Sequence, residues 1–414
     1  MTVHADAPDR TTDRLAPLVD PAPGLTDAEL DRYARHLALP GLGLDGQRRL
    51  AAARVLVVGA GGLGSPALLY LAAAGVGVIG VVDDDVVDVT NLQRQVLHGQ
   101  ADLGRPKTTS AAAAIAEVNP HVEVVEHPVR LDPGNVLDVL GGYDVVLDGA
   151  DNFPTRYLVS DAAEVLGLPV VWGSIDRFDG QVSVFWGAPR YTAADGGTTS
   201  RRGVTYRDVF PDPPPPGVVP DCATGGVLGA MCGTVGSAMA TEALKLITGV
   251  GDVLHGRLAV HDALAADWRS LAVRPDPARE PVTAMLPGDD AYVAFCGLAP
   301  AGDPGPGSTE VTVADARALL AAERPAVLVD VREEWEARAR PVAGARLVPS
   351  GTFLGTTAGA PDAAARSALD TLPTDRPVLL VCAAGPRSTK VARVARAAGL
   401  DARSVVGGVP ALLG

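Results

Sequence analysis

The most reactive candidate in the chain is Cys382, which ends the apolar run Pro377-Val-Leu-Leu-Val-Cys382 and is followed by Ala-Ala-Gly-Pro-Arg387-Ser388. The apolar run reads as a buried strand, the Gly-Pro segment as a short loop, and the residues after it as a helix. In that arrangement loop N–H groups and the helix N-terminus converge on the sulfur, and together with Arg387 they favour its anionic form. The chemistry this supports is sulfur carriage, in which a thiolate accepts a sulfur atom and holds it as a persulfide. Four residues separate Cys382 from Arg387. A phosphatase loop encloses one more, and the tighter loop suits a single sulfur better than a tetrahedral oxyanion.

A second constellation lies nearer the N-terminus. Arg54-Val-Leu-Val-Val58 reads as a buried strand, Gly59-Ala-Gly61-Gly62-Leu-Gly64 as a tight turn, Ser65 to Ala74 as a helix, and Val76 to Val82 as a second strand ending at Asp83. In such a Rossmann-like unit the glycines admit phosphates to the helix N-terminus and the acid can bind a ribose hydroxyl. That unit alone serves NAD as well as ATP. Further on, Thr90-Asn91-Leu92-Gln93-Arg94, Gly104-Arg105-Pro106-Lys107 and Asp148-Gly149-Ala150-Asp151-Asn152 add two cations and an acid. A triphosphate can use that set: Arg94 and Lys107 neutralise its oxygens and Asp151 holds Mg²⁺. The bland alternative makes Arg94 and Lys107 solvated surface groups and Asp151-Asn152 a turn or helix cap.

The elements that must position these groups fit a chain of 414 residues, long enough for two or more domains. Hydrophobic residues make up 47% and charged residues 20%, as in a soluble globular protein, and a formal net charge of −14 argues against nucleic acid as a partner. The four cysteines, 222, 232, 296 and 382, show no CxxC spacing, and no signal peptide precedes them; both observations point to a reducing cytoplasm. Cys222 to Thr241 is free of charge but rich in glycine, which suits a helix packed closely on a sheet rather than a membrane span. Residues 1–24 read as a disordered arm, 296–309 as a Pro/Gly linker, and Tyr191 to Val219 as a long mobile crossover loop.

Over the residues before the linker the chain resembles the MoeB/ThiF family of adenylyltransferases. Arg32-Tyr33-Ala-Arg35-His36, the Gly59–Gly64 loop, Thr90 to Arg94, Gly104 to Lys107, Asn119-Pro120 and Asp151-Asn152 stand in the family's order. From about residue 310 the chain resembles a rhodanese domain, through Asp330-Val-Arg332-Glu333, Gly344-Ala345, the Cys382 loop and Gly407-Gly408-Val409. The resemblance implies that Gly62, Asp83, Asn91, Arg94, Lys107, Asp151 and Asn152 contact ATP or its Mg²⁺. It also implies that Arg35 is offered to the phosphates of a neighbouring subunit in a homodimer, and that Cys222 handles the carrier as a thioester or mixed disulfide. Cys232 and Cys296 have no charge-bearing context and read as core residues. The family's structural zinc is not expected: Thr205, Asp208, Glu280 and Thr283 stand where its four thiolates would be, which leaves packing alone to stabilise that region.

The fold class expected is α/β, with a Rossmann-like adenylation domain over residues 25–295 built on a mainly parallel sheet and a smaller α/β rhodanese domain over 310–414. The implied activity is ATP-dependent adenylation of the C-terminal glycine of a ubiquitin-like sulfur carrier protein. Sulfur transfer from a Cys382 persulfide then gives the carrier thiocarboxylate, as in molybdenum cofactor biosynthesis and related pathways. Thiosulfate or a cysteine-desulfurase persulfide would supply the sulfur. The alternatives are a persulfide sensor or scaffold that binds nucleotide and carrier without turnover, and an NAD-dependent oxidoreductase with a rhodanese tail.

Overall fold

The computed structural model describes residues 14–192, 197–215, 226–298, 308–354 and 363–413. They fall into two compact units, one before and one after residues 299–307. Both are α/β.

In the first unit, strands β1 (Arg54–Val58), β2 (Val78–Val82), β3 (Glu123–His127), β4 (Val145–Asp148), β5 (Val170–Asp176) and β6 (Asp179–Phe185) join β9 (Arg257–Asp262) and β10 (Asp267–Ala272) in an eight-stranded sheet. Its order is β10-β9-β6-β5-β4-β1-β2-β3. The run from β3 to β5 is parallel, and β6, β9 and β10 add antiparallel pairs. A short hairpin of β7 (Arg190–Thr192) and β8 (Thr198–Ser200) stands apart from the sheet. β1 shows why the central strands read as continuous apolar runs: Val55 and Val57 enter one core layer while Leu56 and Val58 enter the other, so both faces are covered. Chain order reverses at β1, whose neighbours are β2 and β4. That opens the crevice at the carboxyl ends of β1 and β4 where this class of sheet binds ligands.

From Gly229 the charge-free glycine-rich segment is helical, and the helix runs on through Glu242 and Lys245 to Thr248, ended by Gly249 at φ +73°. It lies close to the crevice: a Cβ on Gly236 would sit 2.4 Å from the Leu63 carbonyl oxygen. Residues 14–24 correct the expectation of a disordered arm. Leu18 is buried, and backbone N–H groups of Ala16, Leu18 and Ala22 donate to the carbonyls of Arg190, Leu246 and Arg48. This stretch gains backbone partners from elements far along the chain, which its own lack of periodicity could not reveal.

The second unit is a five-stranded parallel sheet of β11 (Glu310–Val311), β12 (Val327–Asp330), β13 (Arg346–Leu347), β14 (Val378–Val381) and β15 (Ala402–Val405), in the order β11-β15-β14-β12-β13. β14 sends Val378, Leu380 and Cys382 to the face covered by Val391, Ala392 and Ala395 of the Pro386–Ala397 helix, and Leu379 and Val381 to the opposite face. Alternation along one strand therefore aims the Cys382 side chain toward that helix.

Candidate functional site

The crevice of the first unit is built around the Gly59–Gly64 loop. Gly59, at φ +88°, turns the chain out of β1, and a Cβ on Gly64 would lie 1.8 Å from the Gly59 carbonyl oxygen, so only glycine lets the loop close on itself. Asp83 clamps the loop from β2: its Oδ2 accepts from the Ala60 N–H at 2.8 Å and its Oδ1 from the Asp85 N–H at 2.9 Å. Burial pushes the Asp83 carboxyl up, against the opposing pull of Lys107 and the two N–H donors. Lys107 is itself buried, with Nζ 2.7 Å from Asp85 Oδ2 and 3.8 Å from Asp83 Oδ1, so it is not a solvated surface lysine. Arg94 lies partly buried with its stem near Gly62 and Nη1 donating to the Thr90 carbonyl at 3.1 Å. Asn91 completes the turn that holds it, its Oδ1 accepting from the Asp88 N–H at 3.4 Å.

The turn after β4 meets the same loop. The Gly149 N–H donates to the Val58 carbonyl at 3.1 Å. Asp151 follows on this turn, exposed, and its carboxylate accepts no hydrogen bond among the described residues. An unengaged carboxylate at the lip of the crevice is a hard oxygen donor of the type Mg²⁺ takes. Asn152 caps the Phe153–Leu166 helix, its Oδ1 accepting from the Thr155 N–H at 2.9 Å. Arg35 is exposed on the short Ala34–Leu37 helix. Arg32 and Tyr33 beside it have structural work, Arg32 donating to the Val118 carbonyl and Tyr33 accepting from Asn119 Nδ2 at 2.8 Å. Cys232 is buried on the glycine-rich helix, where its sulfur would lie 2.7 Å from a Cβ on Gly62. Cys222 lies outside the described residues.

Three groups under this crevice carry no role in the sequence pattern, although Asp148 stands in one of its motifs. His98, buried, bridges the Ala60 carbonyl at 3.0 Å and Ser110 Oγ at 2.8 Å, and burial holds its pKa below the usual value. Asp148 accepts from the Ala150 N–H at 2.9 Å and is pushed up to about 6 by burial, against the pull of Arg156. Arg156 lies beneath the Asp151 turn, donating Nε to the Ala150 carbonyl at 3.0 Å with its guanidinium near the rings of Phe153 and Trp172. A histidine in an irregular segment, or an arginine within a helix, carries no local signal that it supports a turn elsewhere.

The region around Thr205, Asp208, Glu280 and Thr283 differs from the expectation of packing alone. The Asp208 carboxylate is fully buried and takes N–H donors on both oxygens: Arg279 Nε at 2.9 Å and the Asp276 N–H at 3.0 Å on Oδ1, and the Thr205 N–H at 2.7 Å on Oδ2. Arg279 also forks onto Glu164, at 2.9 and 3.1 Å. Glu280 and Thr283 are exposed. A guanidinium occupies the centre of these carboxylates, so the residues present do not fit a tetrahedral zinc site. Arg279→Met would leave the buried Glu164 carboxylate without its cation and Asp208 with only Arg202, 3.5 Å away, and is expected to cost about 3–5 kcal/mol. Differential scanning fluorimetry should show a fall in Tm on the order of 10 °C, while added zinc leaves the wild-type Tm unmoved; a Tm that rises with zinc would overturn this assignment.

In the second unit, Cys382 follows β14 and is fully buried. Its Sγ accepts from the Gly385 N–H at 3.1 Å and from the Ser388 hydroxyl at 3.4 Å, one backbone group and one side chain rather than a ring of loop amides. The back of the loop rests on Gly408, where a Cβ would come within 2.3 Å of the Cys382 carbonyl oxygen, and on the Val409 N–H, which donates to that oxygen at 2.8 Å. Arg387 departs from expectation: its guanidinium forks onto Glu336 at 2.6 Å on each side. Cys296, also buried, is pushed up to about 11 by burial and is an inert core thiol.

Comparison with known proteins agrees with both units. Residues 33–282 match the ThiF family and residues 312–413 the rhodanese-like domain. The chain is 49% identical over 400 residues to the probable adenylyltransferase/sulfurtransferase MoeZ of Mycobacterium tuberculosis, covering 96% of each. It is 51% identical over 276 residues to the sulfur carrier protein adenylyltransferase of Thermus thermophilus, covering 66% of this chain and 98% of that one. Among solved structures, MccB of E. coli superposes with a TM-score of 0.52 at 18% identity, over 61% of this chain and 74% of that one, a likeness of fold alone.

Proposed function

Because this chain belongs to the ThiF family and carries a rhodanese-like domain as well, we propose that it adenylates the C-terminal glycine of a ubiquitin-like sulfur carrier and converts the acyl-adenylate to a thiocarboxylate. The observation that carries the first half is the convergence of Asp83, Lys107, Arg94 and the Asp151 turn on one glycine loop at the switch point of the sheet. A carboxylate cannot lose oxide to a sulfur nucleophile, so the oxygen must first become a leaving group. Here the carrier carboxylate attacks the α-phosphorus of ATP, forming acyl-AMP and releasing pyrophosphate. Lys107 and Arg94 offset the charge that grows on the phosphate oxygens, Asp83 holds the ribose, and Asn91 and Asn152 shape the walls. Mg²⁺, held by Asp151 when bound, supplies further charge compensation. No structural zinc takes part.

Cys382, loaded as a persulfide, then attacks the acyl carbon and expels AMP. The resulting acyl disulfide is cleaved by a thiol, which leaves as a disulfide with Cys382 and frees the thiocarboxylate; Cys222 is the thiol we assign. Arg35 reaches the phosphates of a second subunit in a homodimer, a reading supported by its exposure on the short Ala34–Leu37 helix. Among the described residues no helix is long and apolar enough to cross a membrane. ATP–pyrophosphate exchange that depends on a carrier ending in Gly-Gly tests the activity. Exchange is expected with the intact carrier and not with one lacking its last glycine, and binding of nucleotide and carrier without exchange would leave a scaffold in its place.

A further inference from the structure

The positive charge that a free oxyanion donor would need beside Cys382 is already engaged. Both terminal nitrogens of Arg387 lie on Glu336, with the two side chains only 18% and 12% exposed, and Arg387 Nε is buried without a partner. Glu336 is fixed in turn. Its Oε2 accepts from the Glu333 N–H at 3.0 Å in the capping box of the Glu334–Ala339 helix. The end of that helix is held by Arg332, which forks onto Asp330 and donates to the Glu336 carbonyl at 3.3 Å and the Arg340 carbonyl at 2.7 Å. Burial works against the Glu336 charge, but Arg387 and the Glu333 N–H outweigh it and hold the carboxyl below its usual range.

We propose that Glu336 is a specificity-determining residue for sulfur loading: by neutralising Arg387 it disfavours dianionic donors such as thiosulfate and leaves thiol-borne persulfides as the donor class. This rests on the reading of Cys382 as the sulfur acceptor. With thiosulfate, the Cys382 thiolate attacks the outer sulfur, the S–S bond breaks and sulfite leaves with both negative charges. With a persulfide, the thiolate attacks the terminal sulfur of R–S–SH, R–S⁻ leaves, and the product is Cys382–S–SH. The first reaction brings a dianion to a fully buried sulfur and needs an uncommitted cation there; the second goes through the protonated R–S–SH form, whose transferred sulfur carries no charge into the site.

Glu336→Gln tests this, because the amide keeps the cap to Glu333 and the side-chain shape while removing the charge that holds Arg387. Loading is read as the gain of one sulfur atom on the Cys382 peptide, with thiosulfate and glutathione persulfide as the two donors. Glu336→Gln is expected to raise kcat/KM for thiosulfate about tenfold or more, mostly through KM, and to leave glutathione persulfide within about twofold. Adding Arg387→Ala to Glu336→Gln should abolish the gain. Unchanged or weaker thiosulfate use in a folded Glu336→Gln protein would overturn the proposal. Should that variant not fold, the wild type decides: a preference for glutathione persulfide over thiosulfate of about a hundredfold supports the assignment, and equal use of the two sinks it. No loading of wild-type Cys382 by either donor would instead refute the sulfur-acceptor reading beneath it.

Discussion

Asp151→Asn is expected to reduce carrier-dependent ATP–pyrophosphate exchange by at least about a thousandfold while leaving Tm within about 1 °C of the wild type. The two halves of that expectation have separate physical grounds. Asp151 is exposed and accepts no hydrogen bond among the described residues, so its charge contributes nothing to the fold that an amide would remove. The turn that carries it is held by its neighbours: Asp148 grips the Ala150 N–H, Arg156 the Ala150 carbonyl, and Asn152 caps the next helix. Loss of a carboxylate ligand to the magnesium of a nucleotide removes several kcal/mol from the transition state, and each 1.36 kcal/mol is about tenfold in rate. Exchange at the wild-type rate in this variant would remove Asp151 from the site. Arg156→Leu gives the complementary result, because it frees the turn without touching the ligand, and should lower both exchange and Tm.

What could be read from the sequence is what the chain keeps local. The glycine loop, the acid at the end of β2, the cations after it and the cysteine at the end of β14 are each specified within a few residues by a strand end, a turn and a helix start. The apolar runs of β1, β4 and β14 gave the parallel sheets for the same reason, since strands covered on both faces need no partner information to be recognised. What could not be read are pairings between distant residues. Arg279 meets Asp208 and Glu164 across 71 and 115 positions, and Arg387 meets Glu336 across 51. In both cases an arginine seen in sequence is only a charge, and its partner decides whether that charge faces a ligand or a buried carboxylate. The Thr205 to Asp208 segment is opaque for a related reason: in sequence it shows only the thiolates it lacks, whereas a cation supplied by Arg279 holds it in place.

Cys382→Ala is expected to abolish both persulfide formation and carrier thiocarboxylate formation, and to leave ATP–pyrophosphate exchange at the wild-type level. Sulfur chemistry fails because Cys382 supplies the bond-forming atom and no neighbour replaces it; Ser388, which donates to the sulfur, is a hydroxyl that cannot form a persulfide. The fold should tolerate the change. Cys382 is followed by two alanines, its carbonyl keeps its bond from Val409, and the loop geometry is set by Gly385 and Gly408 rather than by the thiol. The lost sulfur leaves a small buried space at a cost of about 1–2 kcal/mol. Exchange survives because the groups around the Gly59 loop, Asp83, Lys107, Arg94 and Asp151, all belong to the first unit. Intact-mass analysis of the carrier and a pyrophosphate exchange assay on the same sample separate the two activities. If exchange collapsed with sulfur transfer in a folded Cys382→Ala protein, activation and sulfuration could not be assigned to different units, and Cys382 would have to take part in forming the adenylate itself.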